Sequence, residues 1–341
     1  MRILYAGTPE IALPGLSLLA GEHEVVGVLT NPDRGSGRGR KVRRSPVKER
    51  ALELDLPLLQ PERLNSEARD GVAALRPELL VTAAYGKIFG PKFLALFSRG
   101  GINMHPSLLP RHRGPTPIPA AILAGDKKTG ITVQELALEM DAGDILLQEE
   151  RSLNGRETTG ELTAWAAEAG GRMLLEAVNR IESGRVRGRP QDPDKVTYCS
   201  FLSKEKSWIE WGVSAEEIDR LVRAYNPWPL ARTTYRGESL IVHESLPVST
   251  ERRSAAGEND PVAELLKAYE AGPGEGRPPE AGRVFGVDKD FGILVQTGGG
   301  ALGIARLQAP ARKPLPWDAF LNGNPEVMSA LLGASKESDE R

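Results

Sequence analysis

Cysteine is almost missing from the 341 residues: Cys199 stands alone. An intramolecular disulfide framework and a cysteine-based metal cluster are therefore excluded, which fits a reducing compartment. Histidine is scarce too, and His23, His105, His112 and His243 show no metal-ligand spacing, so no metal is expected. No apolar run approaches the length that crosses a bilayer, and no cleavable apolar segment precedes the first strand, so a soluble cytoplasmic protein without a membrane partner is expected. A large net charge is lacking: 44 basic residues nearly balance 46 acidic ones, and the formal charge of −2 announces no polyanionic partner for the chain as a whole. The first strand-to-helix turn, Ala6-Gly7-Thr8-Pro9, lacks the three-glycine dinucleotide fingerprint, so neither NAD nor a flavin is supported. Gly7 is expected only to relieve crowding there.

What the first half does have is an alternation of short β-rich runs with helical patterns, which argues for an α/β domain on a mostly parallel sheet. Strands are expected over Arg2 to Ala6, Glu24 to Thr30, Glu78 to Ala84, Gly101 to His105 and Ile131 to Leu138. Thr8-Pro9-Glu10 and Thr116-Pro117 carry the cap-then-proline signature of helix starts, and Ser66 to Leu75 has helical patterning. A capping-box spacing from Thr158 to Glu161 opens a longer helix bearing Leu162, Trp165, Ala169, Met173, Leu174, Ala177 and Ile181 at helical period. This helix closes a first domain at 1–184. From Arg185 to Asp194 periodicity disappears, and 185–206 reads as an exposed linker.

The remainder, 207–330, has another texture. A capping box from Ser214 to Glu217 opens a short helix that ends at Asn226-Pro227-Trp228-Pro229. Five β-like runs follow, at Ala231 to Tyr235, Ser239 to His243, Arg283 to Val287, Ile293 to Thr297 and Leu302 to Leu307, suggesting a small barrel of the oligonucleotide-binding type. The stretch 248–282, rich in Glu, Gly, Pro and Ala, reads as a mobile insertion with one helical turn around Ala263 to Ala268.

Chemistry concentrates at Asn103-Met104-His105-Pro106-Ser107-Leu108-Leu109-Pro110. On a strand, Asn103 and His105 point to one face, placing an amide beside a group that titrates near neutrality. A lone histidine at a strand end is more often structural than catalytic. Here Asp141, within Met140-Asp141-Ala142-Gly143-Asp144, could complete a set suited to proton transfer at a carbonyl. Between Arg34 and Arg50, eight basic residues face a single acid, Glu49. This segment is either a solvated surface loop or a phosphate-contacting one. His112, between Arg111 and Arg113, could meet phosphate as well; Cys199 lies near the linker and carries no expected role.

Several of these strings together resemble the methionyl-tRNA formyltransferase family over nearly the whole chain. They are Ala6-Gly7-Thr8-Pro9, Gly37-Arg38-Gly39-Arg40-Lys41 leading to Ser45-Pro46-Val47-Lys48, Ile102 through Arg111, Gly130-Ile131-Thr132, Met140 through Asp144, and Asn226-Pro227-Trp228-Pro229. The Asn-x-His-x-Ser-Leu-Leu-Pro string with its downstream Asp marks folate-dependent formyltransferases as a group, and the glycine-arginine loop with a second domain narrows the choice to the tRNA enzymes. The resemblance implies a Rossmann-like catalytic domain followed by an OB-like β-barrel domain, with 10-formyltetrahydrofolate as co-substrate and initiator methionyl-tRNA as acceptor, in a monomer. It implies Asn103, His105 and Asp141 as catalytic residues, with Asn103 and His105 on the oxyanion and Asp141 as partner and proton relay. Ser107, Leu108, Leu109 and Pro110 fall on the folate-binding stretch, faced by Tyr85, Gly86, Lys87 and Ile88. Arg38, Arg40 and Lys41 fall on the tRNA-contacting loop. Gly114-Pro115-Thr116-Pro117 departs from the family's usual Gly-Ala-Ala-Pro, and the insertion is longer than its usual turn. The alternatives are a related formyltransferase acting on an amino sugar nucleotide, and a noncatalytic tRNA-binding protein of the same fold.

Overall fold

The computed structural model describes residues 1–36, 41–248 and 280–333. The chain divides into two units: Met1–Ala121 with Asp126–Gly155 and Gly160–Phe201, and Ile122–Gly125 with Arg156–Thr159 and everything from Leu202 on.

The first unit contains, in chain order, β1 (Arg2–Gly7), α1 (Leu13–Glu22), β2 (Glu24–Leu29), β3 (Arg34–Ser36), β4 (Lys41–Arg43), α2 (Pro46–Glu53), β5 (Leu58–Leu59), α3 (Ser66–Ala74), β6 (Leu79–Ala83), α4 (Pro91–Leu94), β7 (Gly101–His105), α5 (Pro117–Leu123), β8 (Lys128–Glu135), β9 (Ile145–Ser152) and α6 (Thr159–Glu182). Seven strands form one sheet in the order β5-β2-β1-β6-β7-β8-β9. The first five run parallel; β8 runs against β7, and β9 against β8. Central strands such as Leu79–Ala83 are buried at every position, because a parallel sheet is covered on both faces and so demands unbroken apolar runs.

Two helix starts differ from the sequence reading. Pro9 precedes a 3-10 turn, Glu10–Ala12, with no side-chain cap, and α1 begins only at Leu13. The Thr8 hydroxyl is taken up elsewhere, accepting from the side-chain amide of Asn31 at 3.0 Å. Thr116 stands just before α5 as expected, but its hydroxyl donates to the Ser200 carbonyl at 2.6 Å. Local caps did form at α2 and α3, where Ser45 and Asn65 accept from the backbone N–H three residues on.

Behind β7, α6 comes close at Gly170, where a Cβ would lie 2.9 Å from Met104 Cγ. Met104 therefore points away from the face shared by Asn103 and His105 and anchors the strand from the other side. Gly7 behaves as expected, since a Cβ there would lie 2.7 Å from that of Ala12.

The second unit contains α7 (Ala215–Ala224), β10 (Ala231–Tyr235), β11 (Glu238–Val248), β12 (Val284–Asp288), β13 (Gly292–Gln296), β14 (Ala301–Gln308), β15 (Leu315–Pro316) and α8 (Trp317–Gly323). The capping box at Ser214 forms both of its reciprocal bonds with Glu217. The strands make one antiparallel path, β10-β11-β14-β13-β12, with β15 on β14. Bridges from Gly333 to Thr234 in β10, and from Leu331 to Arg283 just before β12, join the two edges, which is the closure of a small barrel. Trp211, Ile218, Val242, Leu302 and Ile304 belong to its core. The insertion expected at 248–282 lies, apart from its ends, outside the described residues, and so does the helical turn around Ala263 to Ala268.

Candidate active site

Asn103 and His105 occupy β7 where the parallel part of the sheet ends, and β8 sets partners beside them: Gln134 opposite Asn103, Thr132 opposite His105. Cross-strand partners share a face, so a row of polar side chains lines one side of the sheet. His105 is only 4% exposed. Its Nε2 donates to the His112 carbonyl at 2.9 Å, and its Nδ1 lies 3.5 Å from Oδ1 of Asp141. A carbonyl can only accept, so the proton of the neutral ring sits on Nε2 and the basic lone pair on Nδ1. Burial pushes the imidazole below its usual pKa, and the Asp141 carboxylate and the His112 carbonyl oppose that push without cancelling it.

Asp141 reaches the ring from a tight turn after β8 in which its own φ is 52°. The small residue and glycine that follow it have a steric reason: a Cβ on Gly143 would collide with the Glu135 carbonyl. Oδ2 accepts from the Gly114 N–H at 2.8 Å, and Oδ1 accepts from Nε2 of Gln134 at 3.0 Å. Gly114 (φ 120°) is itself pressed against residue 199, where a Cβ would lie 2.5 Å from the Cys199 carbonyl oxygen. The Asn103 amide makes no hydrogen bond among the described residues and stays partly exposed. The site thus has a donor with no protein partner beside a buried imidazole–carboxylate pair.

The expectation that His105 joins Asn103 on the oxyanion needs an N–H free to donate. The single N–H of the neutral ring, on Nε2, is committed to a backbone carbonyl, and Nδ1 carries a lone pair and no proton to donate. What the ring offers is a proton acceptor at Nδ1.

The residues expected on the folate stretch divide in two. Ser107, Leu109 and Pro110 are buried, and the Ser107 hydroxyl donates to the Arg111 carbonyl at 2.6 Å, bracing the loop. Thr132 holds the same loop by donating to the Ser107 carbonyl at 2.7 Å and accepting from the Leu109 N–H at 3.2 Å. Gln148 on β9 donates to both Thr132 and the Leu109 carbonyl. Leu108 is half-buried and leans over Gly130, where a Cβ would collide with it. On the segment expected to face them, Gly86 is exposed at φ 79° and Ile88 is 77% exposed. Lys87 spans to the Pro61 and Glu62 carbonyls at 2.6 and 2.9 Å, with its ammonium 5.7 Å from the Tyr85 ring centre. Tyr85 stacks on Phe89, which continues through Phe93 to Phe97 as a column of four rings. The buried Tyr85 hydroxyl has no partner among the described residues, and burial pushes its pKa up to about 12. Asn31 ties this rim together: its side-chain amide donates to Thr8 and, at 2.8 Å, to the Tyr85 carbonyl, while its own carbonyl accepts from Gln60.

Arg38 and Arg40 lie outside the described residues. Lys41 opens β4, which pairs with β3 as a two-stranded hairpin. The root of that hairpin is held at Asp33, which accepts from Lys48 at 2.7 Å and Gln60 at 3.0 Å; these bonds keep its carboxyl below the usual range.

His112 corrects the sequence reading. It is buried at φ 58°, its Nε2 bonds Asp126 at 2.7 Å and its carbonyl receives His105, so it does not face an open phosphate site. Burial raises the pKa of the Cys199 thiol, which leans on the His112 and Arg113 carbonyls. Residues 185–201 do not behave as a free linker. Arg189 bridges Ile145, Tyr198 bridges Arg113, and Gln191 reaches the Asp141 turn. Gln134, Gln148, Thr132 and Gln191 are the site's neighbours that sequence reasoning missed; only Thr132 lay inside a quoted motif. A surface groove of about 300 Å³ between α1 and α6, lined by Leu18, Arg172, Leu175 and Asn179 among others, shares no residue with this site. Among the described residues no cluster of His, Cys, Asp and Glu could hold a metal ion, and no helix is long and apolar enough to cross a membrane.

Comparison with known proteins places the chain. The family model described as formyl transferase matches residues 11–178, and the one described as formyl transferase, C-terminal domain, matches 202–325. The methionyl-tRNA formyltransferase of Treponema denticola is 44% identical, over 96% of this chain and 98% of its own. That of Methylobacillus flagellatus is 41% identical, over 95% and 97%. Among solved structures, an N-formyltransferase of Helicobacter canadensis in complex with folinic acid and dTDP-3-aminofucose has a TM-score of 0.62 at 16% identity, covering 89% of this chain and 98% of that one, a likeness of fold. With both family models matched and relatives similar along nearly their full length, the chain belongs to the formyltransferase family, in the group named methionyl-tRNA formyltransferase.

Proposed function

We propose that this protein transfers the formyl group of 10-formyltetrahydrofolate to the α-amino group of methionine carried on initiator tRNA. One observation carries the reading: the unpartnered Asn103 amide shares a strand face with a buried His105 whose Nδ1 faces Asp141. Transfer of formyl between nitrogens needs a donor for the oxygen that becomes negative and a group that takes a proton from one nitrogen and returns it to the other. Asn103 supplies the first. The His105–Asp141 pair supplies the second, accepting the amine proton at Nδ1 as the nitrogen attacks the formyl carbon, and delivering it to N10 of the folate as that C–N bond breaks. One C–N bond forms, one breaks, and one proton changes nitrogen.

In this reading the folate donor is assigned to Leu108 and to the exposed Gly86 and Ile88. Arg38, Arg40 and Lys41 are the tRNA contacts of this reading, and they belong to a run of sequence in which basic residues predominate. Purified protein should formylate charged initiator tRNA from 10-formyltetrahydrofolate and leave uncharged tRNA and amino sugar nucleotides unmodified. Formylation of a sugar nucleotide in preference to methionyl-tRNA, or binding of tRNA without turnover, would overturn it.

A further inference from the structure

Arg113, Gln191, Gln134 and Asp141 form a hydrogen-bonded chain whose direction is set from one end. A guanidinium offers donors only, so Nε and Nη2 of Arg113, at 3.1 and 2.9 Å, fix Oε1 of Gln191 as the acceptor. Nε2 of Gln191 is then the donor. It faces the carbonyls of Asp141 and Gly143, both at 2.8 Å, and Oε1 of Gln134 at 3.3 Å. That leaves Nε2 of Gln134 turned to Oδ1 of Asp141, the oxygen nearest Nδ1 of His105. Two side-chain amides that could each flip are held in one sense by one cation. A flipped Gln134 would set its oxygen against the carboxylate. Gln134 and Arg113 are both buried, so water is poorly placed to replace a lost partner.

We propose that Gln191, braced by Arg113, is a positioning residue of the formyl-transfer site: it fixes the 141–143 turn and the sense of Gln134, and through both holds the Asp141 carboxylate against His105. Its activity arm rests on the function proposed above; its structural arm does not. Gln191 falls between the two matched family models, which end at 178 and resume at 202. The charged and titratable groups around the pair are few. His105 is faced by Asp141 from the turn and by His112 from the loop after β7; Asp141 is also neighboured by the Cys199 thiol, and Arg113 is paired outward with Glu139.

The test uses Gln191→Ala and the near-isosteric Gln191→Met, which keeps the volume and removes both donor and acceptor. In the free full-length protein, nitrogen-15 NMR of the imidazoles follows the His105 titration without any substrate. Freed from the turn, the carboxylate no longer supports the imidazolium, so the titration should move to lower pH by about half a unit or more. In turnover, kcat should fall about tenfold or more while KM for both substrates stays within about twofold. In an Asp141→Asn background, Gln191→Met should cost nothing further, because its effect runs through Asp141. An unchanged His105 titration in a folded Gln191→Met protein, or the same fold-loss with and without Asp141, would overturn the proposal. If the wild type formylates no methionyl-tRNA, the functional reading fails, and the His105 titration still decides this one.

Discussion

The His112 carbonyl accepts from Nε2 of His105 at 2.9 Å, so a backbone group seven residues further along the chain selects the tautomer of the imidazole. The lone pair is thereby directed to Nδ1 and towards Asp141. Asn103 is left as the only member of the trio whose side chain has no protein partner among the described residues.

Asn103→Ala should therefore act on turnover. Loss of a donor aimed at a developing oxyanion lowers kcat by about 10²- to 10³-fold, and KM for the folate donor should change little. Asn103→Asp should fare no better, since a carboxylate cannot donate. Steady-state kinetics on both variants check this, and a wild-type kcat in either would remove Asn103 from the reaction.

Acid should weaken the fold through His105. Its folded pKa is pushed below the ordinary value of 6.5, chiefly by burial, so on acidification the unfolded chain takes up the proton first. Stability is then fully present above the unfolded pKa and is lost as pH falls towards the folded one. Urea denaturation at pH 8 and at about pH 5.5 should show the wild type losing more stability than His105→Gln, which has no imidazole to protonate. Equal losses would mean that the ring titrates alike in both states.

Thr132→Val keeps the shape of the side chain and removes a hydroxyl with three partners, the Ser107 carbonyl, the Leu109 N–H and Gln148. Stranding the buried Ser107 carbonyl and Leu109 N–H costs about 1–3 kcal/mol. A thermal melt should show Tm lowered by a few degrees, and KM for the folate donor should rise because the 107–110 loop is released.

Arg38→Ala should weaken the methionyl-tRNA interaction and reduce its salt dependence by about one unit of log–log slope if the arginine meets a phosphate. KM for tRNA measured across salt concentrations reads both. Formyl-folate KM should stay as in the wild type.

Sequence was most informative where structure is local. β7 is bounded by the same residues that spacing suggested, Gly101 and His105, and the Ser214–Glu217 capping box formed because both partners lie within one turn. β9 went unread: its outer half, Gln148-Glu149-Glu150-Arg151-Ser152, is mostly exposed at the sheet edge and has the composition of a loop. Thr8 was misread as a cap because its partner, Asn31, sits 23 positions away. Gln191 could not have been found from its surroundings, which carry neither periodicity nor a motif, and its partners are 48 to 78 positions distant. His112 is the converse case, since its charged neighbours suggested an exposed ring and the fold turned it inward onto Asp126.

The Asn31 side chain joins the end of β1 at Thr8 to the segment after β6 at Tyr85, and Gln60 donates to the backbone carbonyl of Asn31 from beyond β5. Four loops that rise from separate strands, β1, β2, β5 and β6, are thus tied to one another by protein contacts alone. The ordering entropy of that rim is spent during folding rather than at each encounter, so an incoming donor gives up mainly its own rotational freedom on binding. Cutting the knot with Asn31→Ala would transfer the cost to every catalytic cycle.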